Sequence, residues 1–255
     1  MSHVLEIHDV WKCFRIPHER RTTVLDHIAG TLSILGGTRY RYEEFWALKE
    51  LNLTLDRHQS LGIIGPNGSG KSTLLKLIAN IMKPDKGEIL TSGTLVPVLE
   101  LGIGFSGDLT VKENATVYGV IMGISRLEIR RRIDSILEFS GLARFEDALL
   151  KNLSTGMQVR LAFSIAVETR ADIFLIDEAL AVGDQAFREK CLDRFREFKR
   201  QNKSIVLVSH DMELINAFCE NALYLQAGEA RAYGPSDEIT RQYVEASRAS
   251  GKSNL

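Results

Sequence analysis

The chain has 255 residues, 44% of them hydrophobic, with 32 basic residues against 33 acidic ones and a formal net charge of −1. That length allows one large α/β unit with an inserted subdomain, and so even a charge balance gives no electrostatic case for a nucleic-acid partner. Cys13, Cys191 and Cys219 are widely spaced and form no C-x-x-C pair, which argues against a disulfide framework or zinc site and for a reducing compartment; with no leader pattern and no apolar stretch of about 18 residues, neither secretion nor membrane crossing is expected.

Residues 4–14 open with a strand pattern, and in residues 47–55 Leu48, Leu51, Leu53 and Leu55 fall among polar neighbours, as in a half-buried antiparallel strand. Between them lies an insertion, residues 15–46. Its Arg20-Arg21 pair leads into Val24, Leu25, Ile28 and Leu32 at helical spacing, then Gly36-Gly37 and Tyr40-Arg41-Tyr42. This reads as a short helix and an extended loop, suited to a lipid headgroup, a sugar or a partner, or simply solvated. Ser60–Ile64 is a buried-strand pattern and Ser72–Ala79 an amphipathic helix. Strand patterns follow at 87–92 and 94–99, then a glycine-rich joint from Leu101 to Gly107. Helices are expected over Glu113–Met122 and Arg126–Ser140, the second burying Leu127, Ile129, Ile133, Ile136 and Leu137 and exposing most of Arg130-Arg131-Arg132. From Met157 onward helices and strands alternate: helix Met157–Thr169, strand Asp172–Ile176, helix Gln185–Gln201, strand Ser204–Val208 and a helix after Asp211. That order predicts a mainly parallel sheet. Strands Ala222–Gln226 and Glu229–Ala232 are joined at Ala227-Gly228, a helix capped by Ser236 follows, and residues 248–255 read as a frayed tail.

The chemistry is concentrated between the strand ending at Ile64 and the helix after it. Gly65-Pro66-Asn67-Gly68-Ser69-Gly70-Lys71-Ser72, followed by Thr73, fills every fixed position of G-x-x-x-x-G-K-[ST]. Its glycines allow backbone conformations that turn successive N–H groups toward anionic oxygens, and the helix N-terminus completes the cage. Lys71 supplies a point charge to the β- and γ-phosphates, and the Ser72 hydroxyl suits Mg²⁺. A nucleoside triphosphate is therefore the expected ligand. Ile173-Phe174-Leu175-Ile176-Asp177-Glu178 brings two acids to the C-terminal edge of a buried strand, where open α/β sheets bind ligands. Asp177 suits Mg²⁺, and Glu178 can orient and deprotonate the water that attacks the γ-phosphate.

Leu153-Ser154-Thr155-Gly156-Met157 resembles the Leu-Ser-Gly-Gly-Gln signature of the ATP-binding cassette (ABC) ATPases, and Ser209-His210-Asp211 resembles their switch histidine. The resemblance runs over roughly residues 4–232 and implies an α/β P-loop NTPase: a RecA-like core, an antiparallel β subdomain and an inserted helical subdomain at about 105–157, in a nucleotide-binding domain spanning 1–247. It further implies that Ser154, Thr155, Gly156 and Met157 serve the γ-phosphate of a neighbouring subunit, that His210 holds the γ-phosphate and the attacking water with Glu178, and that Asp184 works across the dimer interface. Phe14 is the favoured stacking aromatic for adenine, with Trp46 as the alternative. Glu100 stands where most members carry a Mg²⁺-facing glutamine, and Val111 where the group usually has glycine. The wording of Phe45-Trp46-Ala47-Leu48-Lys49, Leu99–Phe105 and Ile176–Asp184 is similar to the ATPase subunits that power export of O-antigen, capsule or teichoic acid. It implies ATP and Mg²⁺ as cofactors, a homodimer beneath integral membrane permease subunits at the cytoplasmic face of the membrane, a lipid-linked glycan as cargo and no nucleic-acid partner. Another cargo such as a lipid, drug or haem, or a soluble non-transport role, are the alternatives.

Overall fold

The computed structural model describes residues 3–17, 42–99, 101–177 and 184–251. Two sheets share one core, and a helical subdomain is built around its own. Strands β1 (His3–Pro17), β2 (Tyr42–Asp56) and β4 (Lys86–Thr91) form an antiparallel sheet in the order β2-β1-β4. The second sheet has the order β5-β6-β7-β3-β8-β9. Its members are β3 (Leu61–Ile64), β5 (Leu95–Val98), β6 (Ile173–Asp177), β7 (Ser204–Val208), β8 (Asn221–Gln226) and β9 (Glu229–Pro235). All its pairings are parallel except β8 with β9.

Side chains of a strand alternate between faces, and here both faces are dry. Leu61 and Ile63, Ile173 and Leu175, Val206 and Val208, and Leu223 and Leu225 pack on the side shared with the antiparallel sheet and helix α1 (Lys71–Ile78). Phe174 and Ile176, Ile205 and Leu207, and Ala222 and Tyr224 point the other way. There they meet α5 (Gln185–Arg200), α6 (Met212–Phe218) and α7 (Ser236–Gly251). Six phenylalanines knit that second core, Phe174 stacking on Phe198 with centroids 4.1 Å apart. Burial on both faces is why these strands read as continuous apolar runs.

The helical subdomain consists of α2 (Val111–Ile121), α3 (Arg126–Ser140) and the start of α4 (Thr155–Ala166). Thr110 and Glu113 make a reciprocal capping box on α2, while Ser125 and Ser154 cap α3 and α4. Buried Asn114 donates to the carbonyls of Ser106, Leu109 and Thr110 and so fastens the loop before α2. Val111 is fully buried in the subdomain core.

Several expectations are corrected. The β1–β2 ladder extends to Pro17 opposite Tyr42, so residues 15–17 and 42–46, assigned to the insertion, are strand. Residues 18–41, Glu100 and Glu178 lie outside the described residues, and with them the expected short helix, Arg20, Arg21 and Tyr40. Leu127 is 60% exposed rather than buried: it sits two residues from Ile129, on the opposite side of the helix. Helix α7 runs to Gly251, so residues 248–251 are helical rather than frayed.

Candidate active site

The phosphate loop leaves β3 at Ile64 and enters α1 at Lys71. Gly65 has φ 151°, and a Cβ there would lie 2.0 Å from the Leu225 carbonyl oxygen of neighbouring β8. Gly70 has φ 107°, and its Cβ would come within 2.6 Å of the Ala47 oxygen. Only glycine fits either place. No side chain caps α1 and no acid stands in its first turn. Its N-terminal amides are thus left for an anion, with the positive end of the helix behind them. Lys71 is 7% exposed, and its Nζ donates to the Gly65 and Pro66 carbonyls at 2.8 and 2.9 Å, which holds the ammonium inside the loop. The β8–β9 turn braces this arrangement from outside: the Gly228 N–H donates to the Ser69 carbonyl, and the Lys49 N–H to the Gly228 carbonyl.

A cleft of about 500 Å³ opens beside the loop, lined by Asn67, Gly68, Gly70, Lys71, Ser72, Thr73, Asp177, Phe14, Phe45 and Ala47. Of the expected phosphate-loop residues, Gly65, Pro66 and Ser69 do not line it. The Ser69 hydroxyl is buried beneath the loop and has no hydrogen-bond partner among the described residues. Asp177 ends β6 opposite Val208 of β7. His210 follows two residues after Val208, at the same sheet edge, exposed and outside the cleft lining. The topology thus brings the loop, Asp177 and His210 to the C-terminal ends of adjacent strands β3, β7 and β6, where open α/β sheets hold ligands.

Of the two aromatic alternatives in the sequence, one reaches the cleft and the other does not. Phe14 lines the cleft; Trp46 does not, because its ring packs edge-on against Trp11 at 5.5 Å, with the Lys86 ammonium over both indoles. Phe45, one residue earlier and directly opposite Phe14 in the ladder, takes the place beside it. The two rings, 37% and 50% exposed, form an apolar platform. Sequence reasoning missed Phe45, because its place beside Phe14 follows from the register of the β1–β2 ladder rather than from the order of residues in the chain.

Ser154, Thr155 and Gly156 are exposed, Met157 is partly buried against the helical core, and none of the four lines the cleft. The Ser154 hydroxyl accepts from the Met157 N–H at 3.3 Å. Asp184 caps α5 by accepting from the Phe187 N–H at 2.8 Å, and its other oxygen meets Arg160 at 3.2 Å.

The donor set in the cleft suits Mg²⁺ bound with a nucleotide. The Ser72 hydroxyl and Asp177 carboxylate are hard oxygens lining one cavity. The described residues contain no cluster of three or more His, Cys, Asp or Glu that could form a complete protein cage. Mg²⁺ characteristically takes one or two protein oxygens and completes its shell with phosphate and water.

Residues 48–181 match the ABC transporter family. The chain is 44% identical over 200 residues to the O-antigen export system ATP-binding protein RfbB of Myxococcus xanthus, covering 78% of this chain and 46% of that protein. It therefore spans about half the length of that relative. It is 34% identical over 249 residues to an O-antigen export system ATP-binding protein RfbB of Klebsiella pneumoniae, covering 96% of this chain and 99% of that one. Its fold is similar to the dimeric post-hydrolysis structure of the ATP-binding cassette MJ0796 bound to ADP and Pi, with a TM-score of 0.71 and 24% identity over 91% of this chain and 98% of that one. Taken with the phosphate loop set between β3 and α1 and the inserted helical subdomain, these matches show that the chain belongs to the ABC transporter family, with the fold of its ATP-binding cassettes.

Proposed function

We propose that the chain is the ATP-hydrolysing subunit of an exporter that moves a lipid-linked polysaccharide across the cytoplasmic membrane. It works as a homodimer on the cytoplasmic face, beneath integral membrane subunits. The observation that carries this reading is the separation of the motifs. The cleft gathers the phosphate loop, Asp177 and the aromatic platform, whereas Ser154, Thr155 and Gly156 stand exposed outside its lining, at the N-terminus of α4. A second copy presenting Ser154–Met157 to the cleft completes the site, and twofold symmetry completes two such sites at once.

In this reading Lys71 and the first amides of α1 hold the phosphates, and Phe14 and Phe45 take the base. Ser72 and Asp177 hold Mg²⁺ with help from Glu100, and the ion supplies positive charge against the transferring phosphoryl group. Glu178 accepts the proton of the attacking water, while His210 keeps that water and the γ-phosphate in register. Asp184 lies at the dimer seam. Membrane association is assigned to the permease subunits; among the described residues no helix is long and apolar enough to cross a membrane. A surface suited to them is the apolar patch of Ile103, Val117, Val120 and Ile121, all 42% exposed or more. Gly104 lies against Ile121, which joins the loop and α2 into one surface. The polysaccharide cargo is supported by the names of the O-antigen export relatives.

The test is Glu178→Gln in the full chain with Mg-ATP. Nucleotide affinity is expected to persist while turnover falls by orders of magnitude; normal hydrolysis overturns the assignment.

A further inference from the structure

The α2–α3 hairpin ends in a surface that the nucleotide cleft does not use. A Cβ on Gly119 would lie 2.0 Å from Ile129 Cδ1, so the two helices touch there, and Ile121 and Leu127 each stand two residues nearer the connection at 122–125. Both are 60% exposed. From Ile121 to Arg132 the sequence holds four arginines against one acid, Glu128, a local excess of positive charge in a chain whose net charge is −1. Arg132 is engaged by the Glu168 carbonyl at 2.7 Å, and Glu128 is taken by Arg170 at 2.6 Å. Arg126, Arg130 and Arg131 are exposed and form no ion pair among the described residues. Asp134, the next acid along α3, acts instead on Lys112 at the far end of the hairpin. Arg130 and Arg131 lie three and four residues beyond Leu127 and so share its side of the helix, while Arg126 and Arg130, four residues apart, repel each other.

We infer that this tip rests on the anionic phospholipid surface of the membrane, with Arg126, Arg130 and Arg131 on headgroup phosphates and Leu127 at the edge of the acyl chains. The choice of a bilayer as occupant rests on the proposed place of the chain beneath membrane subunits. Ile121 belongs both to this tip and to the apolar patch assigned to those subunits, so the two surfaces are continuous. A guanidinium fork pairs with phosphate through two parallel hydrogen bonds. A phospholipid leaflet offers phosphate and hydrocarbon side by side, which is what a face of arginines around an exposed leucine complements. Each arginine near an anionic leaflet favours partitioning by about fivefold, and three together by about 100-fold. Contacts of that strength set which face of the chain meets the membrane, while the permease subunits hold it there.

The experiment is flotation of the full chain with vesicles of phosphatidylcholine alone or of equal parts phosphatidylcholine and phosphatidylglycerol, at low and high salt, with Mg-ATP turnover measured on the same preparations. The wild-type chain is expected to partition at least about tenfold more strongly to the anionic vesicles at low salt, and to lose that preference at high salt. Arg126→Gln, Arg130→Gln and Arg131→Gln combined should reduce binding to anionic vesicles by about tenfold or more, and Leu127→Ser should weaken it as well. A control with Arg144→Gln, Arg200→Gln and Arg248→Gln removes the same charge from exposed sites on three other segments and should bind within about twofold of wild type. Absence of binding, equal binding to both vesicle types, unchanged binding in the tip variant, or an equal loss in the control would each overturn the inference. None of the substituted residues lines the cleft, so turnover should be retained throughout. A wild-type chain with no Mg-ATP turnover would overturn the functional reading instead, an outcome the flotation measurement keeps separate from failure of the lipid contact.

Discussion

Phe45→Ala separates the aromatic platform from its neighbours in sequence. The ring is 50% exposed and stands opposite Phe14 in the β1–β2 ladder, on the cleft side. A base stacked on an aromatic ring is worth about 1–3 kcal/mol, so nucleotide affinity should weaken roughly 5- to 150-fold. The cost to folding is smaller. Full burial of a phenylalanine contributes about 1.5–3 kcal/mol and half of this one is already in water, which leaves about 1 kcal/mol. Trp46→Ala should do the reverse, costing stability through the lost edge-on contact with Trp11 and leaving affinity unchanged. Equilibrium titration with trinitrophenyl-ATP and urea unfolding of both variants provide the two readouts. Weakened nucleotide binding in Trp46→Ala alongside normal binding in Phe45→Ala would refute the assignment of the platform.

The loop glycines should differ in a predictable order. Gly65→Ala forces a Cβ to 2.0 Å from the β8 backbone and is expected to cost about 3 kcal/mol. Gly68→Ala meets nothing within 4 Å at φ 76° and carries only the left-handed penalty of about 1 kcal/mol. Equal urea midpoints would show that the contact at Gly65 does not exist. Alkaline stability follows from the buried thiols. Burial raises Cys191 from 9.0 to about 12 and pushes Cys219 up as well. The unfolded chain therefore loses these protons first as pH rises above about 9, and their contribution, fully present below that pH, declines toward the folded values. The slope is roughly 1 kcal/mol per pH unit for each thiol. Urea unfolding at pH 8 and pH 10 should show stability falling with pH, and by less in Cys191→Ser compared at the same two pH values; an identical fall in that variant would contradict the sign and the source.

The phosphate loop was legible because its chemistry is local: glycines at fixed intervals, a lysine, a hydroxyl, and a strand and helix on either side. The parallel sheet was legible because strands buried on both faces must be apolar throughout, as Phe174–Ile176 and Ile205–Val208 are. Phe45 was not, since the faces of β1 and β2 cannot be counted off by twos. Register shifts between Ile7 and Val10, Val10 and Lys12, and Lys12 and Cys13 break the alternation. Nearness of Trp46 to the loop in sequence therefore gave no guide to the face it occupies. Leu127 misled for a related reason, because apolarity alone assigned it to a core that its angle on α3 keeps it from reaching. In α7, the small polar residues after 247 suggested fraying, whereas Arg248 and Ala249 are good helix formers and the helix continues through them.

The central claim, that each site is assembled from two copies, is tested most directly by mixing two inactive variants of the full chain. Lys71→Met disables its own cleft but retains Ser154–Met157, and Ser154→Arg blocks that motif but retains an intact cleft. Each alone should fail to hydrolyse Mg-ATP, and mixing them should restore turnover, because every mixed dimer contains one complete site. A mixture that remains inactive while mixed dimers form, or Ser154→Arg that turns over normally by itself, would contradict the account.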